Sequence, residues 1–194
     1  MSAQLSLPDR QVWTIDDLLS MPDDGHRYEI FDGSLLVSPA PPKQHQAAAD
    51  RLRDALQAAA PDGVEVITAT AIDMTATSPT LGIQAPVPDI VVAAPGVWDD
   101  PGLYVLPSRV LLLVEVESPR TSRDRVLKPA LYAAAGIPAY WRVELDPVAV
   151  VTYVLDGAVY REDGTVRAGE SAVVGTPFPL ELRPADLVGP LRRG

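Results

Sequence analysis

Two carboxylates interrupt segments that are otherwise apolar. Asp89 stands in Val-Pro-Asp-Ile-Val-Val, and Glu115 in Leu-Leu-Leu-Val-Glu-Val-Glu. Both segments read as buried strands, and a lone carboxylate there is costly without a cation or strong hydrogen bonds. Side chains alternate along a strand, so Glu115 and Glu117 share a face. Like charges on one face raise the cost further unless a metal ion lies among them. Oxygen-only donors suit magnesium or manganese. Asp89 and Glu115 together are therefore expected to bind a divalent metal, with a loop-capping role as the plain alternative for Asp89. Glu117 alone is expected to be a strand-end carboxylate in water.

The charge changes sign just downstream. Residues 118–128 carry Arg120, Arg123, Arg125 and Lys128 against the single acid Asp124. Acidic residues beside a basic helix start match the needs of phosphoryl chemistry, in which a metal polarises phosphate and cations neutralise its oxygens. The plain alternative is a solvated helix face. Lys128 is one of only two lysines, with Lys43, against fourteen arginines. A desolvated lysine can lose a proton near neutral pH, which arginine cannot.

Composition bounds these readings. The 194 residues suit one domain, with a core over about 12–160 and a less regular tail. The chain has no cysteine, which excludes disulfides, thiolate metal sites and a cysteine nucleophile. No apolar run reaches the roughly 18 residues of a membrane helix, and residues 1–10 show no signal-peptide pattern. A cytoplasmic protein with no membrane association is expected. The net charge of −10 repels phosphate unless basic residues are locally concentrated.

The elements that must position these residues follow from pattern. Thr14 and Asp17 form a capping box for a helix over 15–20. Asp32-Gly33 predicts a tight hairpin within 27–37. Ala48, Leu52, Ala55, Leu56 and Ala59 make one apolar face of a helix over 43–60. Strands are expected over 64–74, as one or two, and over 87–93, 109–117, 139–145 and 148–155. A helix over 121–135 is expected to kink or start late at Pro129 and to end at Gly136. Asp156-Gly157 predicts a second hairpin into 158–161, with short strands near Ala172 and Leu180. The order gives an α/β (α+β) fold: a mixed sheet flanked by helices, with an N-terminal helix and hairpin.

Several segments, taken in order, resemble a known family. They are Arg27-Tyr-Glu-Ile-Phe-Asp-Gly33, Ser38-Pro39 with His45, Pro88-Asp89-Ile-Val-Val, Val114-Glu-Val-Glu-Ser-Pro119, Asp124, Lys128 and Leu131-Tyr-Ala-Ala-Ala-Gly-Ile-Pro-Ala-Tyr-Trp141. Together they resemble the Uma-two family of restriction endonucleases over roughly residues 12–160. The resemblance implies the PD-(D/E)XK nuclease fold. It implies metal ligation by Asp89, Glu115, the Val116 carbonyl and Glu29, with Lys128 replacing a lysine that nucleases usually carry on the strand. At that strand position this sequence has Glu117. His45 would contact substrate phosphate or support Glu29, or simply bond a neighbour near its helix start. Tyr132 would line the pocket or pack in the core, and Tyr140-Trp141 would anchor a strand. Arg123 and Arg125 would contact substrate.

The first reading is thus a Mg2+- or Mn2+-dependent endonuclease acting on DNA, working as a homodimer. The second is a non-catalytic interaction protein on the same scaffold, favoured by the acidity and the missing strand lysine. The third is a phosphoesterase acting on a small nucleotide.

Overall fold

The computed structural model describes residues 12–77, 82–100, 102–117 and 124–189, with backbone alone for Asp124 and Arg125. A short helix, α1 (Ile15–Leu18), opens the described chain. The Asp17 carboxylate accepts both the amide and the hydroxyl of Thr14 at 2.8 Å, which fixes this start. A hairpin follows, β1 (Arg27–Phe31) and β2 (Ser34–Ser38), paired with Phe31 opposite Ser34. Asp32 and Gly33 take φ of 50° and 69°, the left-handed pair that a two-residue turn of this hand requires.

Helix α2 (Lys43–Ala59) buries Ala48, Leu52 and Leu56, spaced to form one stripe. Next come β3 (Glu65–Thr68), β4 (Ile90–Ala93) and β5 (Val110–Val116). Then α3 (Asp124–Ala134) leads into β6 (Ala139–Leu145), β7 (Val148–Asp156) and β8 (Val159–Arg167). Strands β3 to β8 form one six-stranded sheet in chain order. Only β5 and β6 run parallel, because α3 lies between them and parallel neighbours need a crossover. Helix α3 runs through Pro129 and ends on Gly136, φ 74°. The amides of Gly136 and Ile137 donate to the carbonyls of Ala133 and Tyr132, a closing pattern that glycine makes cheap.

Sheet faces divide the core. On one face α2 and the C-terminal segment cover Ile90, Val92, Leu112, Val114, Trp141 and Val143. That segment supplies β9 (Ala172–Val174), β10 (Leu180–Leu182) and a 3-10 turn at Pro184–Leu187. Phe178, Leu180, Leu182 and Leu187 belong to this buried cluster, so the core continues well past residue 160. On the other face α3 contributes Tyr132, which packs with Val91, Leu113, Ile137 and Tyr140.

The structure departs from pattern at three places. Strand β4 begins only at Ile90, since Pro86 and Pro88 lack the amide a ladder needs. Strand β3 stops at Thr68, and Ala69 turns the chain with φ 52°. Strand β8 runs on to Arg167, beyond the 158–161 expected, with a bulge opposite Thr152/Tyr153. The polar stretch 161–164 lies within that bulged strand. No described helix is long and apolar enough to cross a membrane.

Candidate active site

Register brings the two interrupting carboxylates together. Ile90 of β4 pairs with Val114 of β5, so the next position outward sets Asp89 against Glu115. Both lie on the α3 face by strand parity. Asp89 thus precedes β4 instead of lying within it, and it does not cap a loop.

Asp89 is bonded on every side. Arg27 Nη2 donates to Oδ1 at 2.6 Å. His45 Nε2 lies 3.1 Å from Oδ2, and the Val116 amide donates to Oδ2 at 2.8 Å. Burial alone would raise the Asp89 pKa, but the His45 hydrogen bond, the Arg27 charge and the Val116 amide outweigh it and hold the group at about 2. Asp89 is therefore an ionised carboxylate at any ordinary pH.

Glu115 has the opposite balance. Burial pushes its pKa up to about 7. The positive charge of Lys128 opposes the rise, whereas the negative charges of Asp89 and Glu29 add to it. Lys128 Nζ donates to Glu115 Oε1 at 3.1 Å, and the Tyr132 hydroxyl donates to the same oxygen at 2.6 Å. Lys128 and Tyr132 are four residues apart on α3, so both face the strand.

Lys128 Nζ also lies 2.9 Å from Glu29 Oε1, and that oxygen accepts the Val87 amide at 2.8 Å. Strand β1 thereby joins the site. Lys128 is almost fully buried, at 2% exposure. Burial would favour its neutral form, but Glu115 and Glu29 outweigh that and raise its pKa. The ammonium stays charged, so Lys128 acts as a cation and hydrogen-bond donor. The proton loss open to a desolvated lysine does not apply here.

Comparison with known families places the chain as a whole. The family model described as "Uma2: Putative restriction endonuclease" matches residues 15–187. The chain belongs to the Uma2 family. Among solved structures, one from Anabaena variabilis described as "a putative nuclease belonging to DUF820" aligns with a TM-score of 0.64. It is 21% identical, and the match covers 90% of this chain and 96% of that one. At that identity the likeness shows the fold. No curated protein matches the chain.

The Uma2 chain thus gathers Glu29, His45, Asp89, Glu115, Val116 and Lys128 in one place. His45 contacts Asp89, not Glu29, because the first turn of α2 abuts the start of β4. Its Nδ1 is buried with no hydrogen-bond partner among the described residues. Tyr132 is both buried core and a donor to Glu115. Arg120 and Arg123 lie outside the described residues, as does the side chain of Arg125.

Glu117 corrects the sequence reading. Its side chain is only 13% exposed and lies 3.3 Å from Arg142 Nε. Arg142 on β6 pairs in register with Glu115, which puts the guanidinium at the strand end where water was expected. Arg27 was missed as a site residue. Its signal was period two: Arg27 and Glu29 share one face of β1, so whatever receives Glu29 also receives Arg27.

Among the described residues no three His, Asp or Glu side chains form a ready metal cage. The donor chemistry still fits a hard cation. Glu29, Asp89 and Glu115 offer carboxylate oxygens, and burial, with the negative charges of Asp89 and Glu29 adding to it, makes the Glu115 charge costly without a further cation. Magnesium commonly takes one or two carboxylates and completes its shell with water.

Proposed function

We propose that this Uma2 protein is a divalent-metal-dependent endonuclease hydrolysing DNA phosphodiester bonds. The observation that carries the reading is Lys128 Nζ, set 3.1 Å from Glu115 and 2.9 Å from Glu29, at the ends of the strands that bring Asp89 beside Glu115. Asp89 and Glu115, with the Val116 carbonyl and Glu29, would hold Mg2+ or Mn2+. A bound ion supplies Lewis-acid polarisation of the phosphate.

The protein's own groups do the rest. Arg27, His45 and the Val116 amide keep Asp89 ionised and fixed. Tyr132 and Lys128 orient Glu115. The Lys128 ammonium would donate to a phosphate oxygen as negative charge builds there. Arg123 and Arg125 would contact the backbone of the substrate. A homodimer would bring two such sites to the two strands of a duplex.

The test combines two measurements. Mg2+ and Mn2+ are titrated calorimetrically into the parent, Asp89→Ala and Glu115→Ala proteins, and each is assayed on duplex DNA. Metal binding and cleavage by the parent, with both lost in the variants, support the reading. Unchanged metal affinity in both variants removes the assignment of the site.

A specific observation favours a second reading, a non-catalytic scaffold. Arg27 and Lys128 already ion-pair with Asp89, Glu29 and Glu115, so the cluster is partly neutralised from within. Metal binding without cleavage is the result that selects it.

A further inference from the structure

Strand β2 is an open edge. It pairs with β1 on one side, and among the described residues its other side carries no backbone hydrogen bond. Its sequence, Ser34-Leu-Leu-Val-Ser38, has no charge and no proline, the devices that usually blunt such an edge. Val37 is 36% exposed. Among the described strands the other free edges are better guarded. Strand β8 is bulged and carries Arg161, Glu162 and Asp163. Strand β3 is four residues long and begins at Glu65, and β9 and β10 are three residues each. The outer side of β1 is occupied, because Ile30 exchanges both of its backbone bonds with Ala85.

That exchange also fixes the direction of the β2 backbone. Ile30 turns its amide and carbonyl away from β2, so Ile30 and Leu35 form a non-hydrogen-bonded pair. The amide and carbonyl of Leu35 therefore point to the open side. Those of Val37, two residues on, do the same. Leu36, between them, turns its own toward Glu29. The edge is also nearly palindromic about Leu36. Read in either direction it runs serine, branched apolar residue, leucine, branched apolar residue, serine.

We propose that β2 is a homodimer interface, pairing antiparallel with β2 of a second copy about a two-fold axis at Leu36. This register sets Leu35 against the partner's Val37, and Ser34 against the partner's Ser38. Interchain backbone bonds form in each Leu35–Val37 pair, from groups that already face outward. Leu36 meets the partner's Leu36 at the closer, non-hydrogen-bonded spacing. No like charges meet, and an isologous pairing of this kind closes at two chains. The result is one continuous sheet in the order β1-β2-β2-β1. Glu29 lies opposite Leu36, so the two Glu29 backbones stand about 15 Å apart, or three strand spacings, with both side chains on one face. The use of this dimer rests on the nuclease reading, which it deepens. Two carboxylate clusters related by a two-fold axis suit the two antiparallel strands of one duplex.

Sedimentation of the metal-free protein tests the interface apart from any cleavage. The parent is expected at twice the mass of one chain. Leu36→Lys and Leu36→Glu each place like charges on the two-fold axis and should sediment as monomers. Mixed in equal amounts they should recover the dimer, which variants that had merely lost their fold could not do. Val37→Pro removes an outward amide and leaves the bonds to β1. It should weaken dimerisation roughly tenfold or more, with one donor lost from each chain, while the circular dichroism stays that of the parent. A parent that sediments as one chain, or folded variants that all remain dimers, overturns the proposal. So does a mixture that stays monomeric beside an unaffected Val37→Pro. Plasmid cleavage by a monomeric parent leaves the nuclease reading standing without the interface, whereas a dimer that never cleaves leaves the interface standing without the nuclease.

Discussion

Lys128 Nζ lies 3.1 Å from Glu115 Oε1 although the two residues are thirteen apart in sequence. The crossover helix α3 returns over the end of β5 and delivers the ammonium to the acidic strand residue. At the strand position two beyond Glu115, Glu117 binds Arg142 instead. A cation next to Glu115 is thus supplied by a helix, and the neighbouring strand neutralises the extra acid.

Removing that ammonium should be costly in a pH-dependent way. Lys128→Ala leaves Glu115 and Glu29 facing each other without their shared cation. A broken buried ion pair costs about 3–5 kcal/mol, and the loss should be largest where Glu115 is ionised. Urea unfolding is expected to show a greater deficit at pH 8 than at pH 5. An equal deficit at both would mean that Glu115 does not carry the charge that Lys128 balances.

Asp89 and Glu115 should pull the stability of the metal-free protein in opposite directions. Asp89 is lowered from 3.8 to about 2. Its contribution is present above pH 4 and fades as pH falls toward 2. Glu115 is raised from 4.5 to about 7. The folded state there binds more protons than the unfolded chain, so stability is lost as pH rises from 4.5 to 7. Glu115→Gln should flatten the upper window and leave the lower one. A parent curve that is flat from pH 4.5 to 7 would contradict the assignment.

Arg27 should be needed as an arginine. It is the cation bonded directly to buried Asp89, and Arg27→Ala should cost about 3–5 kcal/mol near neutral pH. Arg27→Lys should restore only part, since an ammonium on a flexible stem is a poor replacement for the guanidinium's fixed geometry. Chemical denaturation of the three proteins, with the parent's circular dichroism as reference, decides this.

The hairpin turn should be sensitive to a single methyl group. Gly33 has φ 69°, and a Cβ there would come 3.2 Å from Val12 Cγ1. Gly33→Ala should cost roughly 1 kcal/mol or more and lower Tm by roughly 2–4 °C. Because β1 carries Arg27 and Glu29, the Glu115 titration should shift as well. A variant as stable as the parent would show that the turn does not constrain the hairpin.

Much of this arrangement was legible from residue patterns. The hairpin at Asp32-Gly33, the stripe of α2 and the strand over 139–145 each carry a local signal strong enough to fix their limits. Apolar runs interrupted by Asp89 and Glu115 marked the two carboxylates that the strand register sets side by side. Partners that depend on tertiary register were not legible. Arg142 reaches Glu117 only because β6 pairs parallel with β5, and Arg27 reaches Asp89 only because the hairpin docks through Ile30 on Ala85. The tail misled for a related reason: Phe178, Leu180, Leu182 and Leu187 are too widely spaced to show a period, yet the sheet face collects them into the core.

Incubation of supercoiled plasmid with Mg2+ and then Mn2+ tests the central claim most directly. The parent should be run beside the Glu115→Ala and Lys128→Ala proteins, each checked for fold. The account predicts metal-dependent nicking by the parent, none by Glu115→Ala, and none by Lys128→Ala even though that variant still binds metal. Full cleavage by either variant would contradict the site. No cleavage by the parent with either ion would contradict the nuclease and leave the carboxylate cluster as a scaffold without this chemistry.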